Sequence, residues 1–127
     1  MAAKTNLRLG DLQLKIMRVL WEHGPLGVAE VKARLDGDRL AYTTVATMLR
    51  KMEDRGLVGH RTEDRRFIYE PAVAADDVAR TMSGDLVDRL FGGSLARTVS
   101  HLLKTREVDR RELDELEELI RRQRSRE

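Results

Sequence analysis

The chain has 127 residues, enough for one compact domain or for a small domain with an appendage. Its residues are 36% charged, 41% apolar and only 4% aromatic, the balance of a soluble folded chain with a thin core, for which subunit association is an expected further source of burial. Zero cysteines exclude disulfides, a thiol switch, a cysteine nucleophile and thiolate metal sites, and no run approaches the roughly 18 apolar residues of a membrane span.

The opening MAAKTNLRLGD lacks the apolar segment of a secretory signal, so a cytoplasmic location and no membrane insertion are expected. A first helix is expected from Gly10 or Asp11 to His23, with Leu12, Ile16, Val19 and Leu20 on one face and Gly24-Pro25 as its stop. Trp21 lies near that stripe and reads as a core aromatic. A shorter helix starts near Gly27, where Glu30 three residues on makes a weak capping-box pattern, and Val28, Val31 and Leu35 form its stripe. Asp36-Gly37-Asp38 turns the chain into a third helix.

The segment 41–71, AYTTVATMLRKMEDRGLVGHRTEDRRFIYEP, is the most informative. Val45, Met48, Leu49 and Met52 follow the spacing of one buried helical stripe. The opposite face carries Thr43, Thr47, Arg50 and, at its edge, Lys51, and Gly56 supplies a left-handed stop. LVGHRT and RFIYEP then pair as a hairpin whose turn, Glu63 to Arg66, contains two adjacent arginines. A polar-faced helix fits a major groove, and a basic hairpin beside it can reach flanking phosphates.

Charge distribution supports this modestly. The net charge is only +2, but residues 1–71 hold 13 basic against 10 acidic residues, and the segment 39–66 carries that whole excess. Thr43, Thr44 and Thr47 suit base edges or a thymine methyl, although a threonine at a helix start also serves as a cap. Tyr42 suits a phosphate or packing on its neighbours. Arg50, Lys51, Arg65 and Arg66 are candidate phosphate ligands, with Arg39 a weaker one on the preceding turn.

After Pro71 the pattern is helical throughout. Residues 74–91 carry Val78, Met82, Leu86, Val87, Leu90 and Phe91 before Gly92-Gly93, and residues 94–104 carry Leu95, Val99, Leu102 and Leu103. A last helix opens at Asp109 with Glu112 three further on and shows Leu113, Leu116, Leu119 and Ile120. Three such segments are too short to make much core alone, and a second copy of the chain is the simplest cover for their stripes. Packing back on the first domain is the other.

The expected fold is mainly α with a small β-hairpin. A winged helix-turn-helix occupies residues 1–72, and a helical dimerisation region with a frayed basic tail, RRQRSRE, occupies 73–127. Val78, Met82, Leu86, Leu90, Leu95, Val99, Leu102, Leu113, Leu116, Leu119 and Ile120 are its candidate dimer contacts.

Three blocks, LGDLQLKIMRVLWEHGPLGVAEV, AYTTVATMLRKMEDRGLV and LVDRLFGGSLARTVSHLL, together resemble the penicillinase-repressor family, the BlaI/MecI/CopY group of transcriptional repressors. The resemblance spans about residues 7–120. It implies a homodimeric repressor of palindromic DNA operators with its recognition helix at 42–55. In the β-lactam branch, repression is relieved when a membrane sensor-protease triggers cleavage in the dimerisation region. By position the scissile bond falls at His101-Leu102, where the best-known members carry Asn-Phe, a departure that puts the same protease specificity in doubt. The copper-sensing branch carries a C-terminal cysteine cluster that is absent from this chain.

His23, His60 and His101 are too dispersed for a local metal motif, so no metal and no cofactor are expected. No phosphate loop, nucleophile elbow or HExxH helix appears, so an enzyme is not expected. Two other readings stay open: a winged-helix regulator sensing a small ligand between its domains, and a dimeric adaptor whose winged helix binds protein.

Overall fold

The computed structural model describes residues 6–35 and 39–127, in two compact units, residues 1–84 and 85–127. The expected Asp36-Gly37-Asp38 turn lies outside the described residues.

In the first unit, α1 (Asp11–His23) starts behind Gly10, whose N–H donates to Gln13 Oε1 at 3.0 Å, and stops at Gly24, with φ +80°. A two-residue strand β1 (Leu26–Gly27) leads into α2 (Val28–Arg34), and α3 (Tyr42–Asp54) follows. The hairpin β2 (Val58–Glu63) and β3 (Arg66–Pro71) completes a three-stranded antiparallel sheet in the order β1-β3-β2. Helix, strand, two helices and a returning hairpin make a winged helix-turn-helix.

The core sits where α1, α2 and α3 meet the sheet. Ile16, Met17, Leu20, Val31, Val45, Leu49, Met52 and Leu57 are fully buried. The stripe of α3 is therefore the expected one, with Met48 only partly covered. Its end is a Schellman turn: Leu57 N–H donates to the Met52 carbonyl, and Gly56 N–H, at φ +79°, donates to that of Glu53. This stop swings Leu57 back into the core and starts β2 beside the helix it has just left. Trp21 packs on the core as expected, and its Nε1 donates to the Val73 carbonyl at 2.9 Å.

Three details differ from the sequence reading. Strand β1 was not anticipated, because two residues are too few to show alternation; it exists only through its partners Ile68 and Tyr69. Glu30 forms no cap on α2 but pairs with Arg66 at 3.1 Å. The first unit also extends past residue 72. Val78, expected at a dimer contact, is 2% exposed and fills this unit's core, with Met82 packed against it. Both lie in the first turns of α4 (Ala75–Phe91), so the boundary falls inside that helix, at Gly84.

The second unit comprises the end of α4, α5 (Leu95–Thr105) and α6 (Arg110–Ser125). Gly92 and Gly93 stop α4 with φ of +59° and +82°. Ser94 caps α5 by accepting from Arg97 N–H, and Asp109 caps α6 by accepting from Glu112 N–H at 2.8 Å. The tail expected to fray is helical through Ser125, where Arg121 and Arg122 both reach Glu118, the i, i+3 and i, i+4 pairs that support an exposed helix.

Val78→Ala is expected to destabilise the first unit by about 2 kcal/mol, the scale of removing a buried aliphatic group. Urea unfolding followed through the single tryptophan measures it; an unchanged midpoint would return Val78 to the surface.

Candidate nucleic-acid interface

Helix α3 has two sides of opposite chemistry. Val45, Leu49 and Met52 are each 0% exposed, while Tyr42, Thr43, Thr44, Thr47, Arg50 and Lys51 are all exposed, Tyr42 at 53%. The N-cap is Ala41, without a side-chain bond, so neither Thr43 nor Thr44 is spent on capping and both residues are exposed. Arg39 is exposed on the segment before the helix.

The wing stands beside this face. Glu63 and Arg66 close the ladder, leaving Asp64 and Arg65 as a two-residue turn with φ of +50° and +66°. Both positive values match the tight hairpin turn that usually takes Asn-Gly. A non-glycine residue there costs roughly 1–2 kcal/mol. An open cleft of about 400 Å³ separates α3 from the wing, lined by Tyr42, Ala46 and Arg50 on one side and Arg65, Arg66, Phe67 and Tyr69 on the other, with Gly27, Val28 and Ala29 beside them. Every cation expected to touch phosphate, apart from Arg39 and Lys51, lines that cleft.

The cations are not equally free. Arg55 is a structural group: its guanidinium donates to Gln13 Oε1 at 3.0 Å and to the carbonyls of Asn6 and Arg8, tying the start of the described chain to the end of α3. Arg61 bridges Glu63 and Glu70. Arg66, read from the sequence as a candidate phosphate ligand, is held by Glu30, 36 residues away. Among the described residues Arg39, Arg50, Lys51 and Arg65 form no ion pair, so of the candidate phosphate ligands they are the most available to a polyanion.

Behind the cleft lies a cluster that sequence reasoning missed. His60 Nδ1 is 2.7 Å from both carboxylate oxygens of Glu53, its ring stacks on Phe67 with centroids 4.2 Å apart, and Tyr69 lies 5.6 Å away. Burial, and after it the Glu53 carboxylate, push the Tyr69 hydroxyl above its ordinary pKa, while Arg50 pulls the other way. The only available signal was the seven-residue separation of Glu53 and His60 across the Gly56 stop.

Among the described residues no group of three or more His, Asp or Glu is gathered to hold a metal, and no helix is long and apolar enough to cross a membrane.

The family model described as Penicillinase repressor matches residues 9–122. A penicillinase repressor of Bacillus licheniformis is 26% identical over 114 residues, 89% of each chain. The transcriptional regulator BlaI of Mycobacterium tuberculosis is 36% identical over 118 residues, which cover 87% of this chain and 86% of that one. A solution structure of monomeric B. licheniformis BlaI in complex with the blaP half-operator is 29% identical, covers 58% of this chain and 90% of that one, and has a TM-score of 0.49. With the family matched over nearly its whole length, this chain belongs to the penicillinase repressors, DNA-binding transcriptional regulators rather than enzymes.

Proposed function

We propose that the protein is a homodimeric repressor that lays α3 in the major groove of a palindromic operator and sets its wing on the flanking backbone. The observation that carries this is the division of α3: its apolar side is sealed in the core, and its outward side offers Tyr42, Thr43, Thr44 and Thr47 followed by Arg50 and Lys51. Short hydroxyl side chains suit base edges, and the cations, with Arg39 and Arg65, suit phosphates.

Support for the dimer comes from residues 85–127. Leu86, Leu90, Leu95, Val99, Leu102, Leu103, Leu113, Leu119 and Ile120 are all exposed in the single chain, Leu90 and Leu95 at more than two thirds. Leu95, Val99, Leu103 and Ile120 line an apolar groove of about 610 Å³. Full burial of a fully exposed aliphatic side chain gains about 1.5–3 kcal/mol, so these partly exposed ones gain a fraction of that each, and a second copy covers them with two-fold symmetry. Leu116 is partly covered already.

Relief of repression by proteolysis follows from the same arrangement. His101 and Leu102 are exposed but lie within the regular helix α5, so a protease needs that helix to open locally before it cuts. A cut there removes α6 from the dimer region and leaves α3 on a chain with half its partners.

Selection of duplexes from a random pool by the full chain tests the core of the proposal: a palindrome with half-sites about one helical turn apart is expected. No enriched sequence would favour a protein-binding adaptor instead. On the selected duplex, Thr44→Ala/Thr47→Ala is expected to cost about 1–3 kcal/mol per lost base contact while leaving random-duplex affinity near wild type; equal losses on both reject base reading.

Arg65→Ala is expected to lower the magnitude of the salt slope by about one unit on every sequence. Arg66→Ala has the smaller effect, because Glu30 already holds that guanidinium. A slope unchanged by Arg65→Ala would take the wing off the backbone.

Ile120→Asp is expected to yield a folded monomer by sedimentation whose binding to the palindrome collapses, since two half-sites need two linked readers. A dimer that still binds tightly would sink the role of α5 and α6.

Signal-dependent cleavage is read by immunoblot of the host after β-lactam exposure: a fragment ending near residue 101 is expected, and an intact chain during derepression excludes this route.

A further inference from the structure

We propose that His60 is a positioning residue for DNA recognition, its ring braced on Phe67 within the wing and clamping the wing to α3 through Glu53, so that Arg65 and the outward face of α3 address the same stretch of duplex. The inference rests on the DNA-reading role proposed above.

A two-stranded ribbon is weakly held on its own. Here the wing's attachments are unequal along its length. At its base, β3 pairs with β1 through only Tyr69 and Ile68. Toward its tip, Arg66 ties it to Glu30 of α2, but it faces Tyr42, Ala46 and Arg50 of α3 across the open cleft. Between these two regions sits the His60 cluster. Glu53 belongs to the last turn of α3, one turn beyond Arg50, and His60 belongs to β2, opposite Tyr69. The bond between them is short, 2.7 Å from Nδ1 to either carboxylate oxygen, so it joins reading helix and wing directly.

The stack then carries that hold outward. Phe67 is half exposed, pairs with Thr62, and is two residues from Arg65. With its ring 4.2 Å from His60 and only 28° from parallel, Phe67 braces the imidazole from within the wing, so a swing of the hairpin away from α3 must break the braced bond to Glu53. His60 also covers an acidic group at the edge of a surface meant for a polyanion, since Glu53 is the anion of α3 that faces the wing. The bond counts for more than a fully exposed ion pair between two long side chains, because both partners are about two thirds covered and the imidazole is already seated on two aromatics.

The test is a coupling measurement on the full chain with a duplex selected as above, reading affinity and salt slope. His60→Phe keeps a ring on Phe67 but removes the bond to Glu53. We expect it to weaken binding about five- to tenfold and to lower the salt slope by about one unit, like Arg65→Ala. Adding Arg65→Ala to it is expected to cost less than about twofold more, because the wing is then tied to α2 alone, through Arg66 and Glu30, and no longer set against α3 where Arg65 acts. His60→Asn, which keeps an N–H donor near the position of Nδ1, is expected to retain the wild-type slope. Additive losses in the His60→Phe/Arg65→Ala variant, or equal slope losses in His60→Phe and His60→Asn, overturn the clamp.

Thermal unfolding controls for folding. If His60→Phe melts below the assay temperature, Glu53→Leu takes its place, and Arg65→Ala must again add nothing. The two levels fail separately: a wild-type chain with no preference for any duplex defeats the DNA-reading proposal, whereas wild-type preference with additive variants defeats only the clamp.

Discussion

The burial of Val45, Leu49 and Met52 beneath α3 is the constraint on which the rest of the N-terminal unit depends. With three residues at zero exposure, a helix cannot rotate about its axis without pulling large side chains into water, at about 25 cal/mol for each Å² uncovered. That fixes which residues look outward. The threonines and Arg50 owe their exposure to no preference of their own; they occupy what the stripe leaves over. The Gly56 stop extends the same constraint to the wing, since Leu57 is drawn into the core one residue after the turn and Val58 starts the strand at once.

The second unit is built on the opposite condition. Its helices are well capped and ended, by Ser94, by Asp109 and by the Gly92-Gly93 pair, so their secondary structure is locally specified. Their tertiary burial is not: among the described residues from 85 onward, only Thr98 is buried. Its hydroxyl is satisfied within its own helix, donating to the Ser94 carbonyl at 2.8 Å. Helices of this kind hold their shape while waiting for cover.

Much of this was legible in the sequence because it is periodic or punctuated. The stripes of α1 and α3, the stops at Gly24, Gly56 and Gly92, and the cap at Asp109 are short-range signals within one or two helical turns. What stayed hidden depends on residues distant in the chain. Strand β1 is a strand only because Ile68 and Tyr69 lie beside it. Arg66 read as a phosphate ligand because its partner is 36 residues away, and the partners of Arg55 lie 42 to 49 residues away. Val78 shares the spacing of the α4 stripe with Leu86 and Leu90, and periodicity cannot tell that the first turns of that helix serve one unit and the last turns the other.

The turn at Asp64 and Arg65 has a consequence for how this protein tolerates heat and change. Two adjacent non-glycine residues in left-handed backbone make the wing tip a local reserve of unclaimed stability, since the turn type favours Asn-Gly. A thermostabilising search would find that reserve early and replace Arg65 first. The gain in melting temperature would then arrive with the loss of the one wing-tip arginine that no carboxylate holds. In this chain the easiest route to a sturdier fold runs through its reach toward DNA.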